Sequence, residues 1–331
     1  MSQPAIFGAK KEWLSLNNAI TDVPGILVGQ VSNQTALTGC TVVICPQGAI
    51  AGVDVRGSAP GTRETDALHP LNLVDKAHAV VLTGGSAFGL DAASGIMRHL
   101  EEHDIGFDVG VTKVPIVTGA VLFDLGIGDH RVRPDAAMGY QAAADAKTGP
   151  VEEGNVGAGT GATVGKIFGT DSAMKSGLGT ASLKVGDLIV GAVAAVNAFG
   201  DVVDPVTGQI VAGALAKDKS FVDTERYLRE VLFSPSGAMS NTTISVVATN
   251  AKLTKSQATK VAQMAHDGYA RTIRPVHTML DGDAIFCLAT EQVAADPNQV
   301  GSLAAQVMAL AIVSAVRSAK SAGGLLAARN L

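Results

Sequence analysis

Residues 79–102 read AVVLTGGSAFGLDAASGIMRHLEE, and the stretch changes period in its middle. Ala79 to Thr83 is a short run of β-formers. From Phe88 to Glu102, Leu90, Ala93, Ile96, Met97 and Leu100 recur at three- and four-residue spacing, which places them on one helical face. Between the two lies Gly84-Gly85-Ser86-Ala87-Phe88-Gly89. A nucleophile elbow needs glycine two residues after its serine, and Phe88 stands there instead, so the segment reads as a tight strand-to-helix turn. A strand feeding a helix through such a turn is the repeating unit of α/β folds.

The alternation continues outward. Further β-type runs occupy 26–29, 39–45 and 188–196, the last ending at Asn197. An Ala-rich helix is expected from the polar segment 129–135 to Lys147, with Gly149-Pro150 as its stop. Residues 202–216 read as a hairpin region, and 217–233 as polar and partly helical. SPSGAMSN, residues 234–241, has the composition of a solvated loop, and a β-run at 242–249 begins directly after it. Lys255 to Ala270 is an amphipathic helical pattern, and 284–289 a strand after the turn-forming Asp281-Gly282-Asp283. No repeat, low-complexity tract or linker interrupts, so one α/β domain over residues 1–331 is expected.

Composition narrows the function. With 331 residues and 47% hydrophobic content, the chain can bury a large core. Thirty-eight glycines and 4% aromatics suit layered packing of helices directly on sheets. The net charge of -5, with no basic run, carries no footprint for nucleic acid or an anionic membrane. Small molecules or proteins are the expected partners. Cys40, Cys45 and Cys287 are an odd count without metal-ligand spacing, which suits a reducing compartment. The start, MSQPAIFGAKKEW, has no apolar h-region, and the expected location is cytoplasmic. The longest apolar stretch, 302–316, contains Gln306 and stops at Arg317, short of the roughly 20 residues a span needs; a core helix is expected there. His99 and His103 have a metal-like spacing but sit with Glu101, Glu102 and Asp104 at a hydrated helix end. Neither a metal nor a cofactor is expected.

Three segments carry chemistry. GNVGAGTGATVGK, residues 154–166, invites a phosphate-binding reading, but a phosphate loop would need Gly where Thr160 stands and Ser or Thr where Ile167 stands. Lys166 stays of interest as a lone lysine among glycines, with a solvated loop lysine as the plain alternative. At 240–243, Ser-Asn-Thr-Thr joins a loop directly to a strand. If the chain were cut before Thr242, its own α-amino group, with a pKa near 7.7–8, could serve as base for its hydroxyl. A Thr-Thr pair opening a strand is equally explained by β-propensity. In Asp281-Gly282-Asp283, two carboxylates at i and i+2 of extended chain share a face, and like charges push one pKa up. An ordinary Asp-Gly turn explains the same residues.

The segments NTTISVVATNA (241–251), HTMLDGDAIF (277–286), GLDAASG (89–95) and GDLIVGAVAAVNAFGDVVD (186–204) together resemble the nylon-oligomer (6-aminohexanoate-oligomer) endohydrolases and their DmpA-type self-cleaving aminopeptidase relatives. The resemblance runs from about Thr21 to the C-terminal helix. It implies an αββα four-layer sandwich, made as a precursor that cuts itself between Asn241 and Thr242 into an α fragment (1–241) and a β fragment (242–331) that stay associated. Thr242 is similar to the family's nucleophile, Lys166 and Asn197 to a lysine and an asparagine lining its active site, and Asp281 and Asp283 to its paired aspartates. Tyr140 is set against an aminopeptidase active-site tyrosine by the same resemblance. A tetramer of αβ units is implied as well.

The resemblance implies that Thr242 attacks an amide and forms an acyl-enzyme that water resolves, with Asn197 as oxyanion donor. Lys166 would hold the threonine hydroxyl, and the aspartates would fix the amine and shuttle protons. The expected activity is hydrolysis of linear amides or oligoamides. An aminopeptidase on short peptides and an acyl transferase similar to ornithine acetyltransferases are the alternatives.

Overall fold

The computed structural model describes residues 16–232 and 241–331. The N-terminal segment 1–13 and the expected loop at 234–240 lie outside the described residues.

The main strands are β1 (Leu27–Asn33), β2 (Thr38–Val55), β3 (Lys76–Thr83), β4 (Val117–Val121), β5 (Leu178–Val185), β6 (Leu188–Ala195), β7 (Ile244–Ala251) and β8 (Ala284–Val293). They lie in one nine-stranded sheet of order β5-β6-β7-β8-β2-β3-β4, closed at one edge by Thr62–Arg63, with β1 paired to β2. The pairs β7–β8 and β3–β4 are parallel and the others antiparallel.

The long strand β2 turns this sheet into two layers. Its register with β3 breaks between Ile44 and Ala49, across Pro46-Gln47-Gly48; its first half pairs with β1 and β3, and its second half with β8 and, at Ala49 and Ile50, still with β3. The two halves face each other across a core of Val43, Leu82, Val193, Val246 and Phe286. On one outer face, α1 (Ala92–Glu102) and α2 (Ala136–Ala144) cover Val42, Ala79 and Val81. On the other, α4 (Lys255–Thr272) and α5 (Pro297–Ser318) cover Val190, Ala192 and Val247. Alternation makes this possible: along β7, Ile244, Val246 and Ala248 enter the inner core while Val247 enters the outer one. The expected four-layer αββα arrangement is the one found. A short helix, α3 (Thr224–Glu230), lies outside these layers.

Helix α5 is long and apolar enough to cross a bilayer by length and composition, with a mean hydropathy of 1.7, but most of it is buried against the sheet. Glycine sets the closest helix approach: a Cβ on Gly95 would lie 1.7 Å from Ala136 O, and one on Gly139 1.9 Å from Ala92 O.

Two expected boundaries move. The helix expected from Phe88 starts at Ala92, because Gly85 at φ 83° launches a 3-10 turn over Ser86–Asp91. The helix expected to reach Lys147 ends at Ala144, because Lys147 exchanges backbone hydrogen bonds with Val28 at 3.0 and 3.1 Å.

Candidate active site

The start of β7 lies between two strand ends and a turn. Its neighbours β6 and β8 run on into Asn197 and back into Asp283, so residues 197, 241–243 and 281–283 meet at one edge of the sheet. All of them are buried: Asn197 and Asn241 are fully covered, and Thr242 is 3% exposed. Most of their polar atoms are hydrogen-bonded, as burial demands; Asn241 Oδ1 and Thr243 Oγ1 are buried without a partner among the described residues.

The backbone of Asn197 is the hub. Its carbonyl oxygen accepts the Thr242 N–H at 2.9 Å and Lys166 Nζ at 3.3 Å. Its side-chain Oδ1 accepts Lys166 Nζ at 2.7 Å, Thr163 N at 3.0 Å and Thr163 Oγ1 at 3.3 Å. Three donors on one oxygen fix which way the amide points. Its Nδ2 donates to Phe123 O at 3.0 Å. The Thr242 hydroxyl donates to the carbonyl of Asn241, and that same carbonyl accepts the Gly282 N–H at 2.8 Å. In this arrangement the donors on the Asn241 carbonyl are therefore Thr242 and Gly282, while the side chains of Lys166 and Asn197 are engaged with each other.

The carboxylates are anchored differently. Asp281 Oδ1 accepts the Phe199 N–H at 3.1 Å, and its Oδ2 the Thr278 N–H, also at 3.1 Å. Asp283 Oδ1 accepts the N–H of Thr243 at 2.8 Å, while Oδ2 takes His277 Nδ1 at 2.8 Å and the His277 N–H at 3.2 Å. To reach one oxygen twice, His277 adopts φ 55°, the left-handed region. Burial, then the charge of Asp283, pushes the Asp281 carboxyl up to about 6. Burial pulls the Lys166 ammonium down to about 7, opposed first by Asp281 and then by Asp124. One acid and one base are thereby held close to neutral pH.

Two cavities reach the junction. One of about 80 Å³ is lined by Phe123, Asp124, Thr163, Lys166, Thr170 and Asn241 among others; one of about 100 Å³ by Ala59, Pro60, Gly61, Ser86, Phe123 and Thr242 among others. Ser86, in the turn read from sequence as purely structural, has φ 53° and faces the second. Asp124, buried and accepting from Thr38 Oγ1 at 2.7 Å and the Gly85 N–H at 2.7 Å, escaped the sequence reading. So did His277, Thr278 and the backbone groups of Gly282 and Leu280. An isolated acid in a loop and a backbone N–H leave no mark in a sequence.

Tyr140 is elsewhere: its hydroxyl donates to Glu102 Oε2 at 2.6 Å beside His99 on the α1–α2 layer. The rings of His99 and His103 lie 4.2 Å apart there, tilted by 32°, and among the described residues no group of three His, Cys, Asp or Glu side chains could hold a metal ion.

A family model described as peptidase family S58 matches residues 18–328. An uncharacterized aminopeptidase of Mycobacterium leprae is 43% identical over 344 residues, covering 93% of this chain and 92% of that protein. A 6-aminohexanoate-oligomer endohydrolase of Kocuria sp. is 30% identical over 313 residues, covering 89% and 85%. The solved structure of an L-aminopeptidase D-Ala-esterase/amidase from Ochrobactrum anthropi, described as a variant of the Ntn hydrolase fold, covers 93% of this chain and 88% of its own with a TM-score of 0.70; at 21% identity it speaks to the fold alone.

Proposed function

The chain belongs to peptidase family S58, and from that premise we propose that it is a self-processing amide hydrolase whose nucleophile is Thr242. The observation that carries this reading is the shared carbonyl of Asn197, which gathers the nitrogen of Thr242 and the ammonium of Lys166 on one oxygen. A nitrogen held there as an amide N–H keeps the same acceptor once the bond before it is cut.

Self-cleavage needs a base other than that nitrogen, which is tied up in the scissile bond. Asp281, with its carboxyl near 6, takes the hydroxyl proton as Thr242 Oγ1 bonds to the carbonyl carbon of Asn241. The C–N bond breaks, the nitrogen picks up the proton, and water hydrolyses the ester. The products are the carboxylate of Asn241 and the free amine of Thr242. In turnover that amine is the base, and the same oxygen forms an acyl-enzyme with a substrate amide before water releases it. Lys166 stabilises the ionised hydroxyl. Asn197, its amide oriented by three donors at Oδ1, offers its remaining N–H to the oxyanion, a role worth about 2.7–4 kcal/mol of barrier.

The substrates are linear amides, peptides or oligoamides; the relatives' names, aminopeptidase and 6-aminohexanoate-oligomer endohydrolase, support that range. Residues 1–241 and 242–331 stay together as one hydrolase unit, and four such units form a tetramer, which light scattering would read. The central test is intact mass. Wild-type protein is expected as two pieces adding to the whole chain plus one water, and Thr242→Ala as one piece without amidase activity. A Thr242→Ala protein that still separates into two fragments on a denaturing gel removes Thr242 from its role.

A further inference from the structure

A cut between Asn241 and Thr242 takes away part of what holds Thr242. Asn241 is pinned at both ends, its N–H donating to Leu280 O at 2.9 Å and its carbonyl accepting the Gly282 N–H at 2.8 Å, and Thr242 shares that anchorage through the bond. Once cut, Thr242 is a chain end, and chain ends fray unless tied down. Its nitrogen keeps Asn197 O, but the ladder of β7 starts only at Ile244, so the rest of the tie falls on Thr243. Thr243 is fully buried and its Oγ1 has no partner among the described residues, so it is held by its backbone. The N–H donates to Asp283 Oδ1 at 2.8 Å, and the carbonyl accepts the Tyr269 hydroxyl at 3.1 Å and the Ala284 N–H at 3.2 Å. Two side chains from different elements, Asp283 ahead of β8 and Tyr269 on α4, thus close on the two ends of one residue. His277 joins them. Its Nδ1 and its N–H both meet Asp283 Oδ2, at 2.8 and 3.2 Å, and its ring lies 5.7 Å from that of Tyr269, inclined by only 23°. A carboxylate oxygen accepts, so Nδ1 carries the proton.

We propose that His277 is a positioning residue for the mature nucleophile: by directing Asp283 onto the Thr243 N–H and packing Tyr269 toward the Thr243 carbonyl, it holds the new chain end at Thr242 in place. The inference rests on Thr242 being the nucleophile. It assigns Asp283 to the hold, since Oδ1 is taken by Thr243 and Oδ2 by His277, and leaves proton transfer to Asp281. The demand differs between the two reactions. In self-cleavage the attacked carbonyl is covalently tied to the attacking residue and is itself pinned through Asn241. In turnover Thr242 Oγ1 must meet a separate amide from a chain end, where a misplacement of about 1 Å costs about 10²-fold. Loss of the His277 side-chain N–H therefore slows turnover and spares the cut.

The test compares wild type with His277→Asn and His277→Gly. Both replacements accept the φ of 55° readily, and both lose the stacked ring. Only asparagine keeps a side-chain N–H where Nδ1 stood. The cut is timed by intact mass from the start of cell-free synthesis. The mature chain is then assayed in two ways: sulfonylation of Thr242 by phenylmethanesulfonyl fluoride, read as mass gained by the 242–331 fragment and located by peptide mapping, and hydrolysis of alanyl p-nitroanilide, read as separate kcat and KM. The expected result is cutting at the wild-type rate in all three, with His277→Gly slower in sulfonylation and in kcat by about 10–100-fold at unchanged KM, and His277→Asn within about threefold of wild type. A His277→Gly chain that reacts as fast as wild type, or a His277→Asn chain that falls as far as His277→Gly, overturns the positioning role and leaves Thr242 standing. So does a cut slowed as much as turnover. Should His277→Gly fail to fold, Tyr269→Phe decides: it keeps the ring and drops the hydroxyl from Thr243 O, and an unchanged sulfonylation rate overturns the proposal. A wild-type chain that stays whole, or takes up no sulfonyl group at Thr242, overturns both readings.

Discussion

Two lysines nine residues apart in the same glycine-rich region end up in nearly the same electrostatic condition and with different partners. Lys166 and Lys175 are both buried, and burial pulls each ammonium down to about 7. Lys175 spends its three N–H groups on the carbonyls of Gly159, Ala162 and Ser176 at 3.1, 2.9 and 2.6 Å. Lys166 directs two at a single residue, Asn197, and lines a cavity. A displaced pKa thus marks burial, and only the pattern of partners separates a group available for chemistry from one that closes a turn.

The sharpest way to break this comparison is to remove each charge while keeping the stem. Lys166→Met is expected to stay folded and to lose amide hydrolysis by about 10²–10⁴-fold, read as kcat/KM beside a retained cooperative unfolding transition. Lys175→Met should do the reverse. Gly159 O and Ala162 O keep backbone donors in Ala162 and Ser176, so the loss falls mainly on Ser176 O and costs about 1–3 kcal/mol, visible as a lowered denaturant midpoint. If Lys175→Met kept its stability and lost only turnover, the two roles would have to be merged.

A second contrast is between the aspartates. Asp283 is fixed by Thr243 and His277, and its charge is one cause that raises Asp281. In Asp283→Asn that push is gone, so Asp281 ionises at lower pH. Its service as a base begins once it is ionised, so the acid limb of the self-cleavage rate should move down from about 6 by on the order of one unit. A limb that stays in place would mean that burial alone raises Asp281.

The pH dependence of stability gives a smaller effect. Both lysines have folded pKa values near 7 against about 10.4 when unfolded. Between those values the unfolded chain binds more protons, so stability rises as pH climbs through that window. Removing either lysine should flatten the rise in a denaturant titration series. Tyr140→Phe, which touches only the α1–α2 surface, should leave turnover unchanged.

Much of the architecture was legible in the sequence because periodicity is a property of the chain itself. The strand, turn and helix of 79–102, the amphipathic α4 and the run that became β7 declare their buried faces through spacing. The bend in β2 was not legible: seven residues were read as a strand where eighteen form one, since Pro46 and Gly48 look like a stop until β8 supplies a partner beyond them. At the site, side chains with unusual company stood out, as Lys166 did among glycines and Asp281 beside Asp283. The support beneath them did not. The carbonyl of Asn197, the N–H of Gly282 and the ring of His277 act through a geometry that exists only once strands from distant parts of the chain lie side by side.

The sheet order carries a further consequence. Strands β7 and β8 both come from the segment after Thr242, yet they lie between β6 and β2, which come from before it. A cut at residue 241 would sever the covalent thread while leaving the later segment clasped on both flanks. The molecule would be two polypeptides by mass and one body under load, and the two halves could be specified by separate messages provided they met before either sheet edge found another partner.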